Sequence, residues 1–140
     1  MHKKSILIIL IVVLLLSLLS GSVSAQTRSS YYFNSYSASL RQGSTSGIIS
    51  LNYNVISCAG IMNSIGVSKI QVYKSTGSLY KTIYGSTSNG LLKSSAVSTA
   101  GTYSISCVSG TSYYCIVTVY ASNSSGSDSR TVQTNTITCP

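Results

Sequence analysis

From residue 31 onward, apolar and polar residues alternate along the chain with a period of two. Residues 49 to 55 show the pattern clearly, because Ile, Leu, Tyr and Val occupy the odd positions and Ser, Asn and Asn the even ones. A period of two places successive side chains on opposite faces of a strand. This segment is therefore expected to be a half-buried strand with one solvated face. No apolar repeat of 3.6 residues persists for three turns, so no helix is predicted here.

The same pattern predicts about seven strands between turn-forming segments. The strands are expected at residues 32–40, 49–55, 69–74, 79–84, 102–108, 112–122 and 129–138. Residues 41–47, 59–66, 85–95, 109–110 and 123–127 separate them and are expected to be loops or turns. Short strands at this spacing predict an all-β fold, a single antiparallel two-sheet sandwich.

The N-terminus has the pattern of a secretory signal peptide. A basic start at residues 2–4 precedes an apolar run from Ile6 to Leu19, and small residues fill most of positions 20–25. This arrangement predicts cleavage before Gln26 and a single domain at residues 26–140. An uncleaved membrane anchor is the alternative, but the apolar run is shorter than the roughly 18 to 20 residues that span hydrocarbon. We expect a secreted, extracellular protein without stable membrane insertion after cleavage, and association with the cell surface stays open.

The charged residues restrict the chemistry that this chain can perform. It has Lys+Arg 9 against one acid, Asp128, and its one histidine is His2. Cleavage would leave seven cationic residues and one acid, hence a net charge of +6. Hydrolysis by paired carboxylates needs a second acid, and serine-type catalysis needs a base to take the hydroxyl proton. Because the chain expected after cleavage has neither, no enzyme is predicted. No cofactor and no metal are expected, and the sparse cations form no stripe for nucleic acid.

Four cysteines follow the expected cleavage site: Cys58, Cys107, Cys115 and Cys139. An even number of cysteines in an oxidising exterior predicts two disulfides, for which three pairings exist. Cys107 and Cys139 each end a predicted strand, and the strand count places both at the same end of the sandwich. A Cys107–Cys139 bridge is therefore expected.

Residues 117 to 126 (VTVYASNSSG) resemble the end of the F strand and the F–G turn of fibronectin type III and immunoglobulin-like sandwiches. The chain departs from that pattern upstream, because the family's strand tyrosine would fall at Cys115 and no Trp is present. The resemblance implies a partner for Cys115 on the second strand. It therefore favours a Cys58–Cys115 bridge, although position 58 does not belong to the inward series unless a bulge intervenes.

Four motifs also look like those of a family of small exported proteins from clostridia and related Gram-positive gut bacteria. They lie at residues 65–73 (IGVSKIQVY), 113–121 (YYCIVTVYA), 125–131 (SGSDSRT) and 134–137 (TNTI). The function of that family is unknown, so the resemblance implies a fold and a compartment but no activity.

Tyrosine placement gives the leading hypothesis for function. If the apolar residues of two strands point inward, the outward residues are Lys69, Gln71 and Tyr73 on one strand and Tyr114 and Tyr120 on the other. The resemblance to fibronectin and immunoglobulin-like domains implies that these strands are neighbours in one sheet, so that the five residues share one outer face. Tyr80 and Tyr84 are expected to extend this face across the next strand. Aromatic rings beside amides and cations suit an extracellular glycan, teichoic acid or host mucin. The alternative is that tyrosines fill solvent faces through strand propensity alone.

Two further alternatives stay open at this point. A small cationic secreted antibacterial toxin, or bacteriocin, has the same leader, charge and cysteines, although no amphipathic basic helix provides a device for membrane disruption. Asp128, beside Arg130 and near a turn, is expected to cap local backbone N–H groups. A calcium site is the competing interpretation, but one carboxylate makes a poor one.

Overall fold

The computed structural model describes residues 30–140, which form nine strands and no helix. The predicted signal peptide and its cleavage site lie outside the described residues. The strands are β1 (Phe33–Gln42), β2 (Ile48–Ser57), β3 (Met62–Lys74), β4 (Leu79–Tyr84), β5 (Leu92–Ala96), β6 (Ser98–Ser106), β7 (Ser112–Asn123), β8 (Gly126–Gln133) and β9 (Ile137–Thr138).

These strands make two antiparallel sheets, and the predicted all-β sandwich is confirmed. The three-stranded sheet has the order β1-β2-β6, and the six-stranded sheet has the order β4-β3-β7-β8. In the larger sheet β5 also pairs with β3, along its first half, and β9 pairs with β7. The two long strands β3 and β7 therefore form the centre of that sheet, as the interpretation of the tyrosine face required.

The strand boundaries differ most from the predictions in four places. β6 begins at Ser98, four residues before its predicted start, and ends at Ser106. β3 begins at Met62, so residues 62–66 belong to a strand that was expected to be a loop. β5 was not predicted, because its sequence LKSSA has no apolar alternation and pairs only with β3. The last predicted strand is divided into β8 and β9, because the backbone N–H of Thr134 donates to the Cys115 carbonyl and its hydroxyl accepts from the Cys115 N–H.

The core lies between the two sheets and is built from alternate residues of the facing strands. On β2 the residues Ile49, Leu51 and Val55 are fully buried, and Val117 on β7 is equally buried. Burial of such side chains contributes about 1.5 to 3 kcal/mol each relative to exposure. The opposite face of β2 carries Ser, Asn and Asn between these positions, so the outer face of the three-stranded sheet is polar.

The structure contains the predicted Cys107–Cys139 disulfide, with a Cα–Cα distance of 6.2 Å. It does not contain the expected Cys58–Cys115 bridge, since both residues are free cysteines. Cys58 follows the end of β2, seven residues beyond Leu51, or roughly 23 Å along a strand. Cys115 lies near the beginning of β7, at the opposite end of the sandwich. No bulge brings position 58 into the inward series, and the strand length separates the two thiols.

Candidate binding surface

The pairing of β3 with β7 decides which side chains share the outer face of the six-stranded sheet. Ile70 and Val72 are buried on β3, and Lys69, Gln71 and Tyr73 alternate with them on the outside. On β7 the buried residues Cys115, Val117 and Val119 alternate with four half-buried residues, which are Tyr114, Ile116, Thr118 and Tyr120. The register places Tyr73 opposite Tyr114, Gln71 opposite Ile116, and Lys69 opposite Thr118.

Tyr73 and Tyr114 form a stacked pair across the two central strands. Their ring centroids are 5.4 Å apart and their planes differ by 12°. The Gln71 amide Nε2 donates to the Tyr73 hydroxyl at 3.4 Å. Stacking restrains both rings, and the hydrogen bond further restrains the Tyr73 side chain. We call the group formed by Lys69, Gln71, Tyr73 and Tyr114 the tyrosine surface.

The other predicted tyrosines lie at different distances from this pair. Tyr120 is on the same face, opposite Gly66, but six residues from Tyr114 and so about 20 Å away along β7. Tyr84 lies opposite Lys69 and joins the outer face at the edge of the sheet, where it is 72% exposed.

Tyr80 does not extend this face, which corrects the prediction. The register of β3 with β4 shifts between Val72 and Tyr73, so Leu79 is the residue opposite Tyr73. The Tyr80 ring instead packs on buried Tyr113, with centroids 5.1 Å apart. Leu79 therefore borders the stacked pair, where it is 53% exposed, and sequence reasoning missed it. A one-residue bulge leaves no signature in the apolar pattern.

Most of the positive charge of the described part lies on strands that carry or flank the tyrosine surface. Four of its six cationic residues are lysines on β3, β4 and β5, namely Lys69, Lys74, Lys81 and Lys93. No acidic residue lies on those strands. By register only Lys69 belongs to the outer face itself, because Lys74, Lys81 and Lys93 lie opposite buried residues. Together the four lysines give this half of the molecule a positive potential, which attracts anionic groups at long range.

Asp128, the only acid, is occupied elsewhere. It lies on β8, where it accepts hydrogen bonds from the Ser30 hydroxyl and the Ser129 N–H and pairs with Arg130 at 3.0 Å. Partial burial acts to raise the pKa of Asp128, but these donors and the guanidinium charge outweigh it, so the pKa lies below its ordinary value. The carboxylate thus fastens the beginning of the described chain to β8.

The remaining candidate chemistry is structural. Burial raises the pKa of the Cys115 thiol to about 12, so this thiol is neutral at physiological pH and is a weak nucleophile. Within residues 30–140 no group of three or more His, Cys, Asp or Glu side chains is placed to hold a metal ion. The same residues contain no helix of the length and apolarity needed to cross a membrane.

Comparison of the chain with family models, with curated proteins and with solved structures found no match.

Proposed function

We propose that this protein is a secreted, non-enzymatic binding or adhesion module that holds an extracellular glycan or an anionic wall polymer on the tyrosine surface. The observation that carries the proposal is the stacked Tyr73–Tyr114 pair on an outer sheet face with Gln71 and Lys69 beside it. Compared with the face predicted from the sequence, Tyr80 is not part of this surface and Leu79 borders it.

The chemistry of the surface fits a polymer of rings and anionic groups. Tyrosine rings offer an apolar face to the C–H groups of a sugar and a hydroxyl to its oxygens. Gln71 supplies an amide, and Lys69 supplies a cation for a phosphate or carboxylate. Because stacking already orders the two rings, binding loses less side-chain entropy than it would with mobile rings.

The strip between the stacked pair and Tyr120 gives the site its length. Ile116 and Thr118 lie along β7 between Tyr114 and Tyr120, so the outer face forms a continuous strip of about 20 Å. A linear polymer can follow such a strip, whereas a small ligand would use only one end. The lysines on β3, β4 and β5 add long-range attraction that salt weakens.

The experiment that tests this function is binding to arrays of glycans and purified wall polymers, with teichoic acid and mucin included. We expect Tyr73→Ala with Tyr114→Ala to reduce affinity for the bound polymer at least about tenfold, since aromatic contacts dominate such surfaces. Tyr31→Ala is the matched control, because Tyr31 is 87% exposed and lies outside the sheet face. An unchanged affinity in the folded double variant would show that the surface is not the site.

A further inference from the structure

The free edge of β6 is the feature that the proposed function does not use. β6 is the last strand of the three-stranded sheet, so among residues 30–140 one of its sides has no neighbouring strand. The N–H of Cys107 donates to the Gly47 carbonyl, and the N–H of Ser57 donates to the Val97 carbonyl. These two bonds show that the odd-numbered residues of β6 direct their backbone N–H and C=O groups toward β2. The backbone groups of the even-numbered residues point away from the sheet, and these are Ser98, Ala100, Thr102, Ser104 and Ser106.

An unpaired row of N–H and C=O groups is a template for another strand, and folded proteins usually protect it. The other edges of this sandwich are protected. On β1 the Asn135 side chain accepts from the Leu40 N–H at 2.8 Å and donates to the Leu40 carbonyl at 3.0 Å. The same strand is irregular between Phe33 and Ser35. A peptide cannot add along the whole of β1 without displacing Asn135.

The edges of the six-stranded sheet carry charged residues directed toward the interior side. Lys81 on β4 lies opposite buried Val72, and Lys93 on β5 lies opposite buried Ile65. Arg130 on β8 lies opposite buried Val119. A charge in this position blocks an added strand, because pairing would bury it. In addition, β4 and β5 have only six and five residues, and β9 has two.

β6 has none of these protections. It spans nine residues, STAGTYSIS, and contains neither a charged residue nor a proline. Its neighbour β2 is also free of charge. The net positive charge of the chain, which would keep copies apart elsewhere, therefore opposes association least at this edge.

We propose that β6 is a self-association edge, at which two copies of this chain pair their β6 strands antiparallel about a two-fold axis through Thr102. The outward-directed backbone groups then bond Ser98 to the partner's Ser106, Ala100 to the partner's Ser104, and Thr102 to the partner's Thr102. The two three-stranded sheets become one six-stranded sheet.

The side chains in this register are self-complementary. On the outer face all five positions of β6 are Ser, Thr or Ala, so no large group is forced against another. Facing Thr and Ser side chains form favourable cross-strand pairs. On the inner face Tyr103 lies across from the partner's Gly101, so no two large side chains are forced against each other there. Within its own chain Gly101 lies under the Tyr53 ring, because a Cβ there would meet the Tyr53 hydroxyl at 2.9 Å.

The dimer has a consequence for binding that rests on the proposed function. The two-fold axis is perpendicular to the sheet formed by joining the two β6 strands. The β4-β3-β7-β8 sheets of the two copies therefore pack on the same face of this joined sheet. The two tyrosine surfaces therefore face one direction, and a polymer long enough to reach both is held with higher avidity than one site provides.

The experiment is sedimentation velocity of the exported protein from micromolar to millimolar concentration, in a Cys58→Ser background so that the exposed thiol makes no intermolecular disulfide. We expect a reversible monomer–dimer equilibrium with no larger species. Thr102→Lys places two ammonium groups opposite each other at the axis and should weaken dimerisation about tenfold or more. Ser37→Lys adds the same charge on the outer face of β1 and should leave dimerisation unchanged.

A cross-link tests the register directly. Thr102→Cys in the Cys58→Ser background should form a covalent dimer under mild oxidation, because facing residues of a hydrogen-bonded pair have Cα atoms about 5.5 Å apart. Ser37→Cys in the same background should stay monomeric. A protein that is monomeric at all concentrations, or whose dimer is unaffected by Thr102→Lys, would overturn the proposal. Binding of one polymer by the monomeric Thr102→Lys variant would leave the proposed function intact, so the two proposals fail separately.

Discussion

At the scale of single residues, two free cysteines of the same chain have opposite environments. Cys58 lies beyond the end of β2 and is exposed, whereas Cys115 is fully buried between Tyr113 and Val117 on the inner face of β7. Burial disfavours the charged thiolate and raises the pKa of Cys115 to about 12. Cys115, which was expected to form a disulfide with Cys58, is thus a small apolar core residue in the structure.

This raised pKa makes the stability of the fold sensitive to alkali. Between the ordinary thiol pKa of 9.0 and about 12, the thiol of Cys115 ionises in the unfolded chain but stays neutral in the folded one. The contribution of this buried neutral thiol to the free energy of unfolding is complete below the pKa of the unfolded chain. It is lost as pH rises through this window, by up to about 1.4 kcal/mol per pH unit. We expect Cys115→Val to remove that dependence in urea unfolding measured across the window.

Titrations common to both proteins cancel in the difference between the wild type and Cys115→Val. That difference in unfolding free energy should fall with rising pH above 9.0. Parallel pH profiles for the two proteins would contradict the assignment of a neutral buried thiol.

At the scale of elements, the segment between β8 and β9 joins the two sheets. Thr134 bonds to the backbone of Cys115 on β7, and Asn135 bonds to the backbone of Leu40 on β1. An amide side chain has one donor group and one acceptor group, so it satisfies a free peptide unit at a strand edge as a neighbouring strand would. The polar motif TNTI thereby ends one strand and covers the edge of another.

Asn135→Ala should therefore have a measurable cost. Leu40 is 2% exposed, and its N–H and carbonyl would lose their partners, which destabilises a fold by about 1 to 3 kcal/mol. Denaturant unfolding measures the loss, and hydrogen exchange at the Leu40 amide should accelerate at the same time. Asn54→Ala on the outer face of β2 serves as the control, and equal effects of the two substitutions would refute the role of Asn135.

The elements differ in how much of them the sequence pattern predicts. β7 alternates half-buried and buried residues over nearly its whole length, and its predicted bounds agree with the structure to one residue. The first half of β3 has three successive buried residues, Ile65, Gly66 and Val67, which interrupts the alternation. β5 has no buried residue at all. The first half of β3 and β5 are strands because they pair with neighbouring strands of the six-stranded sheet, β3 with β7 and β5 with β3.

At the scale of the whole molecule, the Cys107–Cys139 disulfide joins the end of β6 to the segment after β9, and so connects the two sheets. It closes a loop with a sequence separation of 32 residues. In the chain-entropy account a loop of this length contributes about 3 to 4 kcal/mol by restricting the unfolded chain.

Cys107→Ala with Cys139→Ala should lower the unfolding free energy by about this amount, measured by equilibrium unfolding in urea. Cys58→Ala is the control, because Cys58 is exposed and makes no disulfide, and its effect should stay within about 0.5 kcal/mol. A double variant as stable as the control would show that the bridge adds nothing to the packing of the sheets.

The sequence by itself determined the fold class and which residues of β3 and β7 point outward, among them Lys69, Gln71, Tyr73 and Tyr114. That β3 and β7 are neighbours in one sheet is a property of the tertiary structure. Side-chain alternation is a local property of an extended chain, so it can be read without knowing the partners. The bulge that sends Tyr80 to Tyr113, the free states of Cys58 and Cys115, and the open edge of β6 were decided only in the tertiary structure. Each depends on register or on distance between segments far apart in the chain, and those follow from packing the two sheets together.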